Sequence, residues 1–197
     1  KQNRQSAPLP EQFLSFKMQN KRTLIIEWLS PEIQLNQFKK IVLQGTKTIF
    51  ARQFHGFKLL NVAICPNVEE IQNYAFGDCH FLRIFKSNKL IRIGDQAFAE
   101  CTGLTQISTQ KVQSLGKHAF CSCCALVSLR FDYLEQIPEG CFEYCVGLKQ
   151  VIGRNINQID ARAFNEGQVK VITKKLDVGI YDGFEVCQQK TRHQEVL

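Results

Sequence analysis

The chain has 197 residues, of which 44% are hydrophobic, and its formal net charge is +7. This length and composition predict a folded domain with a substantial core and exclude an intrinsically disordered chain. No apolar run reaches the roughly 18 residues that a membrane-spanning helix needs, and the positive charge favours acidic partners.

The first predicted unit is an N-terminal cap that covers residues 1–35. Its apolar stretch FLSFKMQNKRTLIIEWL shares no spacing with the sequence that follows it. A half-repeat with Phe38, Ile41 and Leu43 then opens a regular region, which we expect to span residues 36–167.

The regular region repeats every 22 residues around one phenylalanine. An aliphatic residue stands five positions before each phenylalanine, and in the first five repeats apolar residues follow at +6 and +9. The phenylalanine column is Phe54, Phe76, Phe98, Phe120, Phe142 and Phe164. One such unit cannot bury its own apolar face, so the period predicts a solenoid in which stacked units share a core.

Each unit divides into a strand and a turn. The positions from +6 to +11, as in LTQIST and LVSLRF, predict a strand, and stacked strands predict a parallel sheet with neighbours about 4.8 Å apart. The residues after the aliphatic position, Gly94, Gly116, Pro138 and Asp160, fit a tight turn. A short helical turn is predicted to carry Ala-Phe, with successive phenylalanine rings spaced for offset contact.

The period slips at the C-terminal end. Phe184 lies 20 residues after Phe164, with Cys187 three further on. Residues 168–197 are therefore predicted to form a degenerate repeat, a cap and a tail, since terminal repeats shield an otherwise open core.

These columns resemble the BspA-like, treponemal type of leucine-rich repeat. The matching residues are Leu104 with Ile107, Val112 with Leu115-Gly116, and Ala119-Phe120 with Cys123. The resemblance implies a repeat solenoid, α/β or β-rich, wound as a right-handed superhelix. Its parallel sheet lines the concave face, with short helical or irregular turns on the convex face. This chain departs from the pattern by about one residue fewer per repeat, and only Pro66 supplies the proline after the strand.

The chain contains nine cysteines, and four of them share the column three residues after phenylalanine: Cys79, Cys101, Cys123 and Cys145. Phe57 and Gly167 occupy the same column, which indicates a packing position. Free cysteine packs as a small hydrophobe, and stacked side chains point the same way, which disfavours disulfides between adjacent repeats. Cys141, before Phe142, is also predicted to be buried.

His118, Cys121 and Cys124 are spaced three residues apart, and His80 shares the column of Cys124, which makes a metal site conceivable there. The paired C-x-x-C hairpins of zinc sites are missing, and no third group is evident that would orient a Cys–His nucleophile. The histidines at 55, 80, 118 and 193 are predicted to be exposed polar residues. Phosphate-loop, dinucleotide, nucleophile-elbow and zinc-protease motifs are absent. We therefore predict no catalytic residue, metal, cofactor or small-molecule substrate.

Basic residues concentrate on the predicted concave face, at +7, +8, +10 and +12 after each phenylalanine, where Asp132 is the single acid. We predict a non-enzymatic module, a scaffold or component of a larger assembly, that binds an acidic protein surface through this face. The predicted contact residues are Arg83, Lys86, Gln106, Ser108, Arg130, Lys149, Gln150 and Arg154.

Three alternatives stay open. Exposed strand positions also carry long polar side chains for solubility alone. The resembled family includes surface-exposed proteins. The first specific alternative is therefore a cell-surface adhesin that binds a host or matrix protein. A nucleic-acid binder is disfavoured because the aromatic residues fall mostly in core columns. Unpaired cysteines and the absence of N-x-[ST] sequons favour an intracellular setting over the cell surface, yet the compartment stays open.

Overall fold

The computed structural model describes residues 16–20, 23–26, 38–165 and 169–188. Within these ranges the backbone forms seventeen short strands and no helix. The strands wind into a parallel β-solenoid of about six turns. The predicted repeat solenoid is confirmed. Of the two kinds of turn predicted, helical or irregular, the described turns are irregular, and the helical form is not supported.

The strands belong to two columns and two end pieces. The longer column is β3 (Lys40–Leu43), β5 (Val62–Ile64), β7 (Ile84–Lys86), β9 (Gln106–Ile107), β11 (Ser128–Phe131), β13 (Gln150–Gly153) and β15 (Val169–Thr173). The shorter column is β4 (Thr48–Ile49), β6 (Glu70–Ile71), β8 (Arg92–Ile93), β10 (Ser114–Leu115), β12 (Gln136–Ile137) and β14 (Gln158–Ile159). The end pieces are β1 (Phe16–Asn20), β2 (Thr23–Ile26), β16 (Gly179–Tyr181) and β17 (Phe184–Gln188).

The longer column follows the 22-residue register of the sequence. Ala63 pairs with Phe85 and Phe85 with Ile107, all in parallel strands. These +9 side chains point inward because side chains alternate along a strand. The strands begin at +8 rather than +6, because the +6 leucines still belong to a turn: the Leu82 amide donates to the Cys79 carbonyl at 2.9 Å.

Strand pairing continues past both ends of the regular repeats. β2 pairs in parallel with β3, and β1 adds an antiparallel neighbour to β2. At the other end β17 pairs in parallel with β15 and antiparallel with β16. The boundaries at residues 35 and 167 stay a prediction.

The shorter column is a second parallel ladder that the sequence did not reveal. Its strands have only two residues each, so no alternating pattern marks them. The glycines that follow β8 and β10 serve close approach between turns: a Cβ on Gly116 would overlap the backbone of Gly94 and Asp95. The Asp95 carboxylate occupies the same gap and accepts the Lys117 amide at 2.9 Å.

Each turn of the solenoid, here called a rung, contains one strand of the longer column, one strand of the shorter column and the phenylalanine turn that follows. Both ladders are interrupted between the same two rungs. β9 does not pair with β11, and β10 does not pair with β12, in the described part of the chain. The turns remain joined there, since the Phe120 amide donates to the Cys141 carbonyl at 3.0 Å. Beside the strands, the Asp132 amide donates to the Gln110 carbonyl at 3.0 Å and the Thr109 hydroxyl to the Arg130 carbonyl at 2.7 Å. The strand pairing is therefore interrupted at this point, while hydrogen bonds still join the two repeats.

The turns that carry Ala-Phe are not helical. Positive φ angles near +55° recur two residues before and after the phenylalanines, as at Gln96 (51°) and Glu100 (59°). Such left-handed residues cannot continue a right-handed helix. Alternate amides also point to the next rung: those of Gln96, Phe98 and Glu100 donate to carbonyls of residues 117, 119 and 121 at 2.9 Å. Inter-rung bonding thus replaces the i−4 bonds that a helix needs.

Stacked phenylalanine rings form the centre of the core. Successive rings of the phenylalanine column lie 5.0 to 5.7 Å apart, and from Phe54 to Phe142 they are parallel within 9°. Phe85 meets both Phe76 and Phe98 edge-on at 5.4 Å. Phe98 and Phe120 have no solvent exposure, as predicted. The rings therefore join adjacent rungs through apolar contact and aromatic geometry.

Truncating an interior ring is expected to destabilise the whole array. Phe98→Ala and Phe120→Ala should each lower the free energy of unfolding by about 3–5 kcal/mol, since each removes buried area and leaves a cavity. Urea melts followed by circular dichroism measure this change. Phe81→Ala is the matched control, because that ring is 63% exposed. Equal melts for all three variants would contradict the assigned core.

Candidate functional site

The strand face consists of the exposed and half-buried side chains at +7, +8, +10 and +12, along the longer strand column. All eight predicted contact residues lie on it or at its strand ends. Six are exposed, and Ser108 and Gln150 are half-buried. Because Gln106 pairs with Ile84 and Gln150 with Ser128, side chains of neighbouring rungs stand side by side.

The interruption after β9 divides the predicted contact residues into two groups. One group lies on and beside β7 and β9 and contains Arg83, Lys86, Gln106 and Ser108. The other lies on and beside β11 and β13 and contains Arg130, Lys149, Gln150 and Arg154. The structure therefore does not place them on one continuously paired sheet.

Lys170 extends the second group and was missed by sequence reasoning. It is exposed on β15, where it pairs with Gln150. The repeat shortens to 20 residues at this step, since Gln150 is followed in register by Lys170. A fixed 22-residue column therefore cannot find it, and only the pairing register shows it.

The charges of the strand face differ in how they are neutralised. The Arg130 Nε donates to the Asp132 carboxylate at 2.8 Å, so this arginine already has an acidic partner. Lys86 and Lys149 are exposed and form no ion pair with any residue that the structure describes. Such unpaired ammonium groups are available to an acidic partner.

Other ion pairs lie on the shorter strand column and the turns. Glu70 accepts from Arg92 at 3.2 Å. Glu139 bridges two repeats, with its oxygens 3.1 Å from Lys117 Nζ and 2.8 Å from Arg162 Nη2. Exposed pairs of this kind stabilise a fold little, but they leave most acidic groups away from the strand face.

A second group of reactive side chains lies on the turns and consists of His118, Cys121 and Glu143, the turn cluster. The Cys121 amide donates to the His118 carbonyl at 3.1 Å, a tight turn that brings both side chains to one side. Glu143 occupies the position of Cys121 one rung later, and its carbonyl accepts the Ser122 amide at 2.7 Å. One ligand atom from each of the three residues lies within 4.8 Å of the other two.

The histidines are less exposed than predicted. His118 is half-buried, with Nδ1 3.2 Å from a Glu143 oxygen, and His55 Nε2 lies 3.3 Å from the Asp78 carboxylate. His80 is exposed, with its Nδ1 2.8 Å from the Glu100 carbonyl. The prediction therefore fails for His55 and His118, because side chains one rung apart cover them. His193 lies outside the described residues.

The fold does not bring Cys124 and His80 together with His118 and Cys121 as one set of ligands. Cys124 Sγ donates to the Ser122 and Tyr144 carbonyls, at 3.4 and 3.6 Å, and His80 faces backbone. Glu143 is the third group beside Cys121 and His118 that sequence reasoning missed. Its signal was the repeat column, since Cys121 and Glu143 both directly follow a column phenylalanine. Burial raises the pKa of Cys121, and Glu143 and Glu100 add to the rise, which disfavours a nucleophilic thiolate.

A cleft of about 570 Å³ lies beside the turn cluster. Its lining includes His118, Glu143, Tyr144, Arg162 and Asp182.

The described part of the chain contains no helix with the length and apolarity that a bilayer crossing needs.

The four cysteines of the phenylalanine-plus-three column are buried and free, as their packing role predicts, and their thiols are also hydrogen-bonded. Each thiol donates to the phenylalanine carbonyl one rung back: Cys101 to Phe76 and Cys123 to Phe98, both at 3.1 Å. These carbonyls also accept an amide of their own turn. Cys141 is fully buried as well. Each of these phenylalanine carbonyls therefore accepts two hydrogen bonds, one from an amide of its own turn and one from a cysteine thiol.

Burial raises the pKa of Cys79 and Cys145 to about 12 from an ordinary value of 9.0. Because the folded pKa exceeds the unfolded one, the native state retains protons that the unfolded chain has lost. We expect this part of the stability to be complete below pH 9 and to disappear as the pH rises toward 12. Replacing both cysteines with alanine should reduce the loss of unfolding free energy between pH 9 and pH 11 in urea melts. Cys124→Ala is the control, and an unchanged pH slope in the double variant would contradict the assignment.

Known proteins share both the repeats and the solenoid. The family model of the BspA type leucine rich repeat region matches in six copies, over residues 33–149 and 69–180. No curated protein matches the chain.

Three solved structures are similar in fold. The leucine-rich repeat protein TpLRR of T. pallidum is 21% identical with a TM-score of 0.56, over 84% of this chain and 86% of that one. A leucine-rich cell surface protein of Faecalibacterium prausnitzii is 20% identical with a TM-score of 0.58, over 84% and 55%. The pneumococcal vaccine antigen PcpA is 19% identical with a TM-score of 0.64, over 78% and 42%. At these identities the likeness concerns the fold, and the chain spans about half the length of the second and third proteins.

Proposed function

Because the chain belongs to the BspA type of leucine-rich repeat proteins, whose repeats commonly serve protein–protein interaction or surface adhesion, we propose that it is a non-enzymatic module that binds an acidic protein surface through its strand face. The binding groups are the eight predicted contact residues and Lys170.

The observation that carries the proposal is the charge of the strand face. Lys86, Lys149 and Lys170 are exposed there, and the first two have no acidic partner among the described residues. A surface of one charge sign steers an oppositely charged partner and speeds its association. The half-buried Ile64, Ile84 and Ile152 add apolar contact beside the charges.

The same face argues against nucleic acid as the partner. Its described positions carry no aromatic side chain. The exposed aromatics Phe50, Phe81, Tyr133 and Tyr144 lie away from it, and exposed Tyr181 lies on β16, at the far edge of the five-stranded sheet. Single-stranded nucleic acid is bound through stacking on aromatic side chains. A gel shift with single-stranded DNA over increasing salt tests this alternative directly.

Surface adhesion is the second candidate, supported by likeness to a protein described as a leucine-rich cell surface protein. Both candidates use the strand face to bind protein and differ in where the binding takes place. Thiol labelling of intact cells separates them. A membrane-impermeant maleimide should reach Cys121 and Cys124, which are half-buried, if the chain is on the cell surface.

Reversing two unpaired charges tests the proposed face. Lys86→Glu with Lys149→Glu should weaken partner capture at least tenfold and flatten its salt dependence, because two attractive charges become repulsive. Affinity capture with quantitative mass spectrometry measures this loss. The control is Lys47→Glu with Lys58→Glu, which makes the same charge change at exposed positions off the strand face. Equal losses in both pairs, or no loss in the first, would exclude this face.

A further inference from the structure

The turn cluster combines three types of metal ligand on one half-buried surface. His118 offers an imidazole nitrogen, Cys121 a sulfur and Glu143 a carboxylate oxygen, with the three ligand atoms within 4.8 Å of one another. This set of nitrogen, sulfur and oxygen donors suits Zn²⁺, which commonly takes four such ligands in a tetrahedron. We propose that these three side chains bind one Zn²⁺ and leave its fourth position to water.

The distances require little rearrangement. Bonds of about 2.0–2.3 Å to a tetrahedral zinc place its ligand atoms roughly 3.3–3.8 Å apart. His118 Nδ1 and the Glu143 oxygen lie 3.2 Å apart, close to that separation. Among the described residues, the hydrogen-bond contact of Cys121 Sγ is a weak one with the Ser122 hydroxyl at 3.7 Å, so a move toward the ion breaks no strong bond.

The backbone holds the three residues at fixed relative positions. A turn bond joins His118 to Cys121, and inter-rung bonds join this turn to the next: the His118 amide donates to Glu139 at 3.0 Å. Because these backbone bonds join the two turns, they fix the distance between Glu143 on one turn and the His118–Cys121 pair on the other. Rigid support of this kind reduces the cost of assembling a site.

Gly140 supplies an independent observation. The equivalent positions of the earlier repeats hold Arg52, Tyr74, Gln96 and His118, all with positive φ. At Gly140 a Cβ would overlap the His118 ring. The chain therefore has its one glycine of this series at the position against which the His118 ring packs.

Charge complements the ligand geometry. Zinc binding would release the Cys121 thiol proton to solvent, and the resulting thiolate and the Glu143 carboxylate together carry two negative charges, which a divalent cation neutralises. Lys117 and Arg162 do not serve this purpose, because both are bound to Glu139 at 3.1 and 2.8 Å. The proposal is independent of the strand face, since it concerns the turns.

Metal titration of the full chain tests the site. Co²⁺ should produce a thiolate-to-cobalt absorption band with one equivalent bound, and Zn²⁺ should displace it. Cys121→Ser should abolish the band, and Glu143→Gln should lower Zn²⁺ affinity at least about tenfold, measured by competition with a chromophoric chelator. Zn²⁺ should also raise the melting temperature of the wild-type chain but not of Cys121→Ser.

Two substitutions provide matched controls. Cys124→Ser removes a neighbouring thiol, and Glu100→Gln removes a neighbouring carboxylate; neither residue belongs to the turn cluster. Both variants should bind Zn²⁺ like wild type.

A Gly140→Ala variant should lose affinity because its methyl group displaces the His118 ring. Absence of zinc binding by the wild-type chain, or equal binding by Cys121→Ser, would overturn the proposal.

Discussion

The backbone bond from each column phenylalanine to the following rung is the interaction on which the solenoid depends. The amides of Phe54, Phe76, Phe98, Phe120 and Phe142 donate to carbonyls one repeat on, at 2.8 to 3.0 Å. Unpaired amides are costly in an apolar interior, so a single rung cannot be satisfied alone. Ring stacking and thiol donation to the same turns reinforce this register. The interactions that stabilise the fold therefore form between adjacent rungs, and a single rung is not stable alone.

The same register determines where chemistry is possible. Residues one repeat apart become neighbours, so each position becomes a column on the surface. On the strand face the register brings Lys170 beside Gln150, the chain neighbour of Lys149. On the turns it brings Glu143 next to His118 and Cys121. The interruption after β9 affects the strand pairing, whereas the hydrogen bonds between successive turns continue across it.

The core was predictable and the turns were not, for definable reasons. Every buried phenylalanine of the column was found from spacing, because a core position cannot tolerate a polar residue. The non-helical turn was missed because Tyr74, Gln96 and Glu100 adopt left-handed φ without being glycine. The two-residue strands of the shorter column carry no alternation to recognise. The position of Glu143 could have been predicted, because the 22-residue spacing places it in the same column as Cys121. The position of Lys170 could not, because the repeat shortens to 20 residues before it.

Hydrogen exchange of the phenylalanine amides, followed by NMR, tests the inter-rung bond most directly. Under native conditions the account predicts that the amides of Phe76, Phe98 and Phe120 exchange only when the array opens. Their opening free energies should then agree with one another and with the unfolding free energy from a denaturant melt. Exchange of these amides at the rate of solvent-exposed turn amides, in a chain that remains folded, would contradict it.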